Sequence, residues 1–412
     1  MAQLSDDCFA FGESLLDVDT AREMILTRVS PVTGSETVAL SAALGRTLAQ
    51  DVAAPISVPR FANSAVDGYA VRHSDLNPER DTVLDCTDRI AAGQIAGQPL
   101  TPRSAARIFT GAAVPPGADT VLMQEDCLRS GDRVTIRPGI KRGANIRAVG
   151  EDIAEGSAAL RMGRRLRPTD LGILAALGCT EVPVRKRLKV ALFSTGNEVK
   201  EPGAALDHGQ IFDANRFMLA GLLQRLNVEF EDRGIIPDDP ARLSAELTNA
   251  AAETQLIVTS GGVSIGEEDH VRAAIANHGS LYFWRLAIKP GRPVAMGQIG
   301  DTPLAGLPGN PVAALLAFAL IARPMIEALS GTTHEPLHRY RVVSEFAYAK
   351  KTGRREYVRA SLRDGRIRRH PKDGAAMLTS LSETDGLVEL PSDLTRLEAG
   401  TEVDFIPYSE LI

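Results

Sequence analysis

The chain has 412 residues, too long for one ordinary hydrophobic core, so the sequence predicts several domains. Hydrophobic residues make up 44% and charged residues 24%, a soluble globular composition that excludes a disordered or fibrous chain. The formal net charge of −6 supplies no global basic field, so we expect neither nucleic acid nor an anionic membrane as a partner.

The cysteines and the N-terminal residues indicate a reducing compartment. The four cysteines are scattered, with no C-x-x-C pair and no nearby histidine at zinc-ligand spacing. The N-terminal residues lack the basic-then-apolar pattern of an export signal. The longest apolar run, residues 312–322, is too short to cross a bilayer and predicts a buried helix. A cytoplasmic protein is therefore expected.

The first half of the chain alternates between two kinds of pattern. Apolar spacing and candidate caps predict helices over residues 15–29, 36–48 and 168–177. Between residues 51 and 147 the pattern changes to short β-prone runs separated by glycine and proline. This segment predicts a mostly β domain inserted into a domain that both flanks build.

The second half predicts an α/β domain followed by a β domain. Buried strands and helices alternate from residue 186 to about 330, among them a strand over 256–260 and helices over 215–226 and 271–277. This alternation is typical of a mostly parallel sheet covered on both faces. In such sheets ligands bind beyond the carboxyl ends of the strands. After Pro336 the pattern is β again, with an Asp364-Gly365 hairpin turn.

Three glycine-bearing turns follow predicted strands of the α/β domain. Small residues let backbone N–H groups approach an anion, and Asn310 with Pro311 can open a helix whose dipole favours negative charge. One such turn alone is more often only a turn, whereas three at one sheet edge predict an anion or phosphoester site. Neither a P-loop nor a dinucleotide-binding glycine pattern is present. The candidate ligand-binding residues are Ser194, Thr195, Gly196, Ser260, Gly261, Gly262, Ser264, Pro308, Gly309 and Asn310.

Acidic residues are expected at the same sheet edge. Glu198, Asp238 and Asp269 would repel a phosphate unless a cation lay between them, and Mg²⁺ is a natural mediator because it binds carboxylate and phosphate oxygens. Helix capping is the alternative, since Asp238 and Asp239 precede one predicted helix and Asp269 precedes another.

Basic residues follow in the segment 284–293. Arg285 and Lys289 are four residues apart and would share one face of an extended strand, where with Arg292 they could hold an oxyanion or phosphate. Solvated surface charges are the alternative explanation.

Seven segments, ordered along nearly the whole chain, resemble the molybdopterin molybdenumtransferases, the MoeA and gephyrin E-domain family. They are PRFANSAVDGYAVR (59–72), IFTGAAVPP (108–116), NIRAVGEDI (145–153), STGNE (194–198), SGGVSIGEED (260–269), IKPGRP (288–293) and LPGNPVA (307–313). Two positions depart from the family pattern: Arg285 replaces a frequent lysine, and Val66 replaces a usual methionine.

The resemblance implies a multidomain architecture and a reaction. The expected domains are an N-terminal linker domain (1–55 and 148–185), an inserted β-rich domain (56–147), an α/β molybdopterin-binding domain (186–332) and a C-terminal β domain (333–412). Such proteins are homodimers. In the implied reaction, Mg²⁺-dependent cleavage of adenylylated molybdopterin is coupled to molybdate insertion and releases AMP, so the molybdopterin adenylyltransferase and acceptor molybdoenzymes are implied partners.

The resemblance also implies roles for individual residues. Asp67 and Thr110 would reach the active site from the opposite subunit, with Asp152 supporting them. Glu198, Asp238 and Asp269 would surround the metal and pyrophosphate, with Asp269 the first candidate for a ligand. Lys289 would contact an oxyanion or phosphate. The other substrate-binding candidates are Arg285, Pro290, Arg359 and Ser380, of which Arg359 and Ser380 would help bind molybdate.

Two other functions compete with this interpretation. Molybdopterin adenylylation uses the same α/β fold, but that type of enzyme is a single domain. A pterin-binding scaffold without catalysis has no need for the acidic group, which the chain retains at Glu198, Asp238 and Asp269 together with Lys289. The sequence leaves the general base open between an acidic residue and a metal-bound water.

Overall fold

The N-terminal helix begins at a side-chain cap. In a computed structural model, which describes residues 15–261, 279–372 and 374–411, helix α1 (Val18–Arg28) follows Asp17, whose carboxylate accepts hydrogen bonds from the N–H groups of Asp19 at 2.9 Å and Thr20 at 3.3 Å. Its buried residues pack into the core of the α/β sheet. Two short strands follow, β1 (Ser35–Ala39) and β2 (Val52–Ala53).

A β-rich segment comes next, as the sequence predicts. Its strands are β3 (Asn63–Ser64), β4 (Gly68–Val71), β5 (Thr82–Ile90), β6 (Ser104–Ile108), β7 (Thr120–Met123), β8 (Cys127–Ser130), β9 (Arg133–Ile136) and β10 (Ile146–Arg147). Six of them form one sheet in the order β7-β4-β6-β5-β9-β8, and β3 pairs with β10. The segment therefore begins and ends on neighbouring strands.

The chain then returns to its N-terminal strands through β11 (Ala158–Leu160), α2 (Pro168–Ala176) and β12 (Glu181–Arg185). Strand β11 pairs with β2, and β12 pairs with β1, opposing Glu36 to Val184 and Val38 to Val182. The helix predicted over residues 36–48 is therefore wrong: this stretch forms β1 and a short 3₁₀ turn (Leu40–Ala42). Pairing with a distant strand outweighs the local helical spacing.

The α/β part contains β13 (Lys189–Thr195), β14 (Val199–Lys200), β15 (Ile211–Phe212), α3 (Asn215–Arg225), β16 (Glu229–Ile236), α4 (Pro240–Glu253), β17 (Leu256–Ser260), β18 (Gly279–Arg285), β19 (Ile288–Lys289), β20 (Pro293–Ile299), β21 (Thr302–Leu307) and α5 (Pro311–Leu329). The sheet order is β16-β13-β17-β21-β20-β18. The pairings among its first four strands are parallel and the last two pairings are antiparallel, so only β20 runs against the other five strands, which confirms the mostly parallel sheet.

Helix α5 is the apolar helix that the sequence predicts. It consists of two α segments around a π segment (Phe318–Ala322). By length and composition alone it could cross a membrane, but 94% of its apolar window is buried inside the protein. In the part of the chain that the structure describes, this is the one helix that passes that test.

The C-terminal part is mostly β, as expected. It contains β22 (Tyr340–Ser344), β23 (Tyr348–Ala349), β24 (Arg355–Arg363), β25 (Arg366–Arg369), α6 (Thr379–Ser382), β26 (Gly386–Leu390), β27 (Arg396–Leu397), β28 (Glu402–Pro407) and α7 (Tyr408–Leu411). Strand β26 pairs with both β24 and β28, so the sheet closes on itself. Asp364 and Gly365 both have positive φ in the predicted hairpin turn. The chain thus has a multidomain α/β plus β architecture.

Candidate active site

The described parts of the three glycine-bearing turns lie side by side. Strands β13, β17 and β21 are adjacent and parallel, and their registers place Ser194 opposite Ser260 and Ser260 opposite Leu307. The N–H of Gly261 donates to the carbonyl of Leu307 at 3.0 Å. The turns that follow these strands therefore meet at one edge of the sheet. The candidates Gly262, Ser264 and Asp269, and the helix predicted over 271–277, lie outside the described residues.

Glycine is required where two of these turns touch. Gly261 has φ +90°, and a Cβ atom there would lie 2.6 Å from the carbonyl oxygen of Thr195. Gly309 differs, because a Cβ atom there would meet no atom of the described residues within 4 Å. The first glycine lets the turns approach each other, and the second leaves open space beside the edge.

Asn215 connects two of the turns, and the sequence analysis missed it. Its amide nitrogen donates to Ser260 Oγ at 2.8 Å and to the carbonyl of Gly309 at 2.7 Å. The residue is buried at the first position of α3. The polar residues Asp213 and Asn215 ahead of an apolar helix were the available signal, and that pattern also fits an ordinary helix start.

Several buried polar atoms at this edge have no hydrogen-bond partner within the described structure. They are Ser194 Oγ, Thr195 Oγ1, Thr259 Oγ1 and Asn215 Oδ1. Buried polar groups are nearly always satisfied, so each exception needs an explanation such as a ligand or water. Ser194 and Thr195 were predicted to bind a ligand, whereas Thr259 and Asn215 were not.

Two of the three predicted acidic residues lie at the same edge. Glu198 is exposed just beyond β13, and the half-buried Asp238 follows β16. The N–H of Asn197 donates to Asp238 Oδ2 at 3.1 Å, and the N–H of Asp238 donates to Asn197 Oδ1 at 3.2 Å. Asp239 Oδ1 instead accepts from the N–H of Arg242 at 2.8 Å and caps α4. Helix capping therefore accounts for Asp239 and not for Asp238.

Arg216 forms ion pairs that hold the segment after Glu198 in place. Its buried guanidinium donates to Asp213 Oδ2 at 3.0 Å, to Glu201 Oε1 at 2.6 Å and to Asp232. Burial alone would lower the pKa of Arg216, but the hydrogen bonds to Asp232 and Asp213 outweigh it and raise this pKa. Arg216 on α3 thus contacts the residue after β14, the segment before α3 and strand β16.

A second group of candidates lines a cavity of about 290 Å³ between the α/β and C-terminal parts. Lys289 and Pro290 contribute from the α/β side, and Arg359 contributes from β24. Lys289 Nζ donates to Glu356 Oε2 at 3.1 Å, and Arg359 Nη1 donates to the carbonyl of Gly374 at 2.8 Å. Lys289 and Arg359 therefore line one cavity.

Arg285 and Ser380 are placed differently from expectation. Arg285 ends β18 opposite Pro293, whereas Lys289 lies in β19 opposite Glu356 in the C-terminal sheet. The expectation that Arg285 and Lys289 share one strand face is wrong, because the chain changes sheets between them. Ser380 is fully buried, and its hydroxyl donates to the carbonyl of Met377.

Asp67 and Thr110 meet on the inserted β-rich segment. Asp67 Oδ1 accepts from the N–H of Thr110 at 2.8 Å and from its hydroxyl at 2.7 Å. These two bonds are the main reason why the pKa of Asp67 is lowered. Asp152 is exposed, and its N–H donates to the carbonyl of Val58 at 3.0 Å.

The fold and this geometry define a multidomain protein whose mostly parallel α/β sheet carries a polar edge beyond its strand ends. Residues 16–178 match the MoeA N-terminal region (domain I and II), residues 191–328 match a probable molybdopterin binding domain, and residues 341–408 match the MoeA C-terminal region (domain IV).

Relatives match over nearly the full length. The molybdopterin molybdenumtransferase of Haemophilus influenzae is 36% identical over 97% of this chain and 100% of its own length. Molybdopterin molybdenumtransferase 2 of Mycobacterium tuberculosis is 36% identical over 89% of this chain and 93% of its own. The solved molybdopterin biosynthesis moeA protein of Pyrococcus horikoshii superposes with a TM-score of 0.81 at 29% identity, over 96% of this chain and all of that one. The chain belongs to the molybdopterin molybdenumtransferase family, transferases of molybdenum cofactor biosynthesis.

Proposed function

We propose that this enzyme inserts molybdate into adenylylated molybdopterin in a Mg²⁺-dependent reaction that releases AMP. The observation that carries the proposal is that the described parts of three glycine-bearing turns meet Glu198 and Asp238 at one sheet edge. Such an edge suits a phosphoanhydride, since backbone N–H groups can hold phosphate oxygens while acids hold a cation. The bond that breaks joins the AMP phosphorus to the bridging oxygen of the pterin phosphate, and water supplies the new oxygen.

The donor set fits magnesium. Glu198 and Asp238 offer hard carboxylate oxygens on adjoining loops, and Mg²⁺ typically takes one or two carboxylates together with phosphate oxygens and water. Asp269 would be a third donor. When bound, the ion would neutralise negative charge on the phosphates. Within residues 15–261, 279–372 and 374–411, no group of three metal-ligating side chains is present, so the site needs substrate oxygens, Asp269 or both.

The remaining side chains divide into two functions. The hydroxyls of Ser194 and Thr195 have no hydrogen-bond partner among the described residues, and those residues leave space at Gly309, so this edge suits the binding of phosphate oxygens. Lys289 and Arg359 suit molybdate, a dianion for which the cavity has room. The soft ligands for molybdenum are the dithiolene sulfurs of the pterin, so no protein thiol is needed.

We further propose that the enzyme works as a homodimer in which Asp67 and Thr110 complete the site of the other subunit. Their hydrogen-bonded pair lies on the inserted segment rather than at the sheet edge. Mixing Asp67→Asn with Lys289→Met subunits tests this proposal. A shared site restores about a quarter of wild-type activity, because half of randomly mixed dimers contain one intact site of two. No recovery after verified subunit exchange rejects it.

The same proposal covers the domain boundaries, the location and the partners. The pairing of β1 with β12 and of β2 with β11 supports a linker domain formed by residues 1–55 and 148–185 around an insertion at 56–147. An α/β domain (186–332) and a C-terminal β domain (333–412) follow. A cytoplasmic molybdopterin adenylyltransferase would supply the substrate, and molybdoenzymes would accept the product.

Release of AMP tests the proposed function. Purified protein is mixed with adenylylated molybdopterin and Mg²⁺, with and without molybdate. We expect AMP only when molybdate is present, and a large loss of rate in Lys289→Met. Formation of adenylylated molybdopterin from ATP would instead identify an adenylyltransferase, and tight binding without turnover would identify a scaffold.

A further inference from the structure

The ammonium group of Lys289 already has an anionic partner in the cavity. Lys289 and Glu356 are directly opposite each other in the parallel pair β19–β24. Lys289 Nζ lies 3.1 Å from Glu356 Oε2 and 3.4 Å from Tyr348 Oη. An oxyanion that enters this cavity therefore meets a lysine that already forms an ion pair with Glu356.

Glu356 is an unusual residue for an oxyanion cavity. Its side chain lines the cavity and is only 2% exposed, yet it carries a negative charge. Tyr348 Oη donates to its Oε2 at 2.9 Å, and Arg354 Nε donates to its Oε1 at 3.1 Å. Burial alone would raise the pKa of Glu356, but the hydrogen bonds from Lys289 and Tyr348 outweigh it and lower this pKa, so the group stays ionised.

The geometry points to Glu356 as an affinity-determining residue, whose carboxylate competes with the oxyanion for Lys289 and keeps oxyanion binding weak. This inference rests on the proposed function of the cavity. Like charges at short range repel strongly in a partly buried site, so the carboxylate opposes the anion that Lys289 and Arg359 attract. Weak binding lets the oxyanion pass from Lys289 and Arg359 to the pterin dithiol, where two Mo–S bonds form as one oxide leaves with the two thiol protons as water.

Tyr348 modulates this competition. Its hydroxyl donates a hydrogen bond to the carboxylate of Glu356 and so stabilises the negative charge there. The centre of its ring lies 4.9 Å from the guanidinium carbon of Arg369. Without the hydroxyl, Glu356 depends more on Lys289 for compensation and binds it more firmly. Removing the carboxylate charge and removing the phenol hydroxyl should therefore change oxyanion affinity in opposite directions, which a merely structural role would not produce.

The experiment measures molybdate binding to the full-length protein by calorimetry. Glu356→Gln keeps the side-chain volume and should tighten molybdate binding about fivefold, whereas Tyr348→Phe should weaken it about twofold. Glu389→Gln is the matched control. Glu389 is a buried carboxylate in the same sheet, paired with Arg355 and Arg339 at 3.0 Å each, and it does not line the cavity. Its substitution should leave the dissociation constant unchanged.

The inference is overturned if Glu356→Gln binds molybdate as weakly as the wild type or more weakly while remaining folded. If Glu356→Gln does not fold, the sign of the Tyr348→Phe effect decides, and tighter binding there overturns the inference. Lys289→Met separates this inference from the proposed function. If it leaves molybdate binding unchanged, the cavity is not the oxyanion site. If it weakens binding while Glu356→Gln does not tighten it, only the competition is wrong.

Discussion

Replacing Gly261 by alanine should separate the turns at the sheet edge. An alanine would have to adopt φ +90°, at a cost of roughly 1–2 kcal/mol. Its Cβ would also lie 2.6 Å from the carbonyl oxygen of Thr195, a backbone atom that cannot rotate away, and such overpacking costs about 1–3 kcal/mol. Together these penalties predict a loss of about 3 kcal/mol in the free energy of unfolding of the α/β domain.

Thermal unfolding measures this loss against a matched glycine. A loss of about 3 kcal/mol should lower the melting temperature of a domain of this size by about 6–12 °C. Gly309→Ala, in the neighbouring turn, adds a methyl group that meets no atom of the described residues within 4 Å, and this variant should melt close to the wild type. It should nevertheless weaken AMP binding, because the methyl group occupies the approach to the turn. A Gly261→Ala protein that melts within about 1 °C of the wild type would refute the reasoning.

Three further predictions concern charged groups. Glu198→Gln and Asp238→Asn should each weaken Mg²⁺ binding roughly tenfold or more in calorimetry, and unchanged binding in both contradicts the metal assignment. Thr110→Ala removes a donor that lowers the pKa of Asp67, so the carboxyl should titrate at higher pH in ¹³C NMR; an unmoved titration contradicts this cause. Arg216→Met leaves the buried carboxylate of Asp213 without its cation and should destabilise the protein by about 3–5 kcal/mol in thermal unfolding, whereas near-wild-type melting excludes a supporting role.

The sequence predicted the α/β part well because its strands are continuous apolar runs. The predicted strand 256–260 coincides with β17, and the helix predicted over 215–226 coincides with α3 to within one residue. Fully buried parallel strands need apolar residues on both faces, so their boundaries are visible in one sequence. The predicted helix at 36–48 was wrong because its residues pair with a strand about 145 positions away, a contact that local spacing does not encode.

Site residues that lie inside a local sequence motif could be predicted. Site residues that matter through contacts with distant parts of the chain were missed. The turns around Ser194 and Gly309 carry visible glycine patterns, whereas Asn215 bonds to Ser260 and Gly309 across 45 and 94 positions. Glu356 was missed in the same way, because its importance comes from pairing with Lys289 on a distant strand. Such partners depend on topology rather than on local pattern.

A crystal structure of the protein with Mg²⁺ and AMP tests the central claim most directly. We predict that the metal ion lies within about 2.5 Å of a carboxylate oxygen of Glu198 or Asp238. The AMP phosphate should lie against the turns that contain Gly261 and Gly309. Binding of AMP and metal elsewhere on the protein, with the sheet edge empty, would contradict the account.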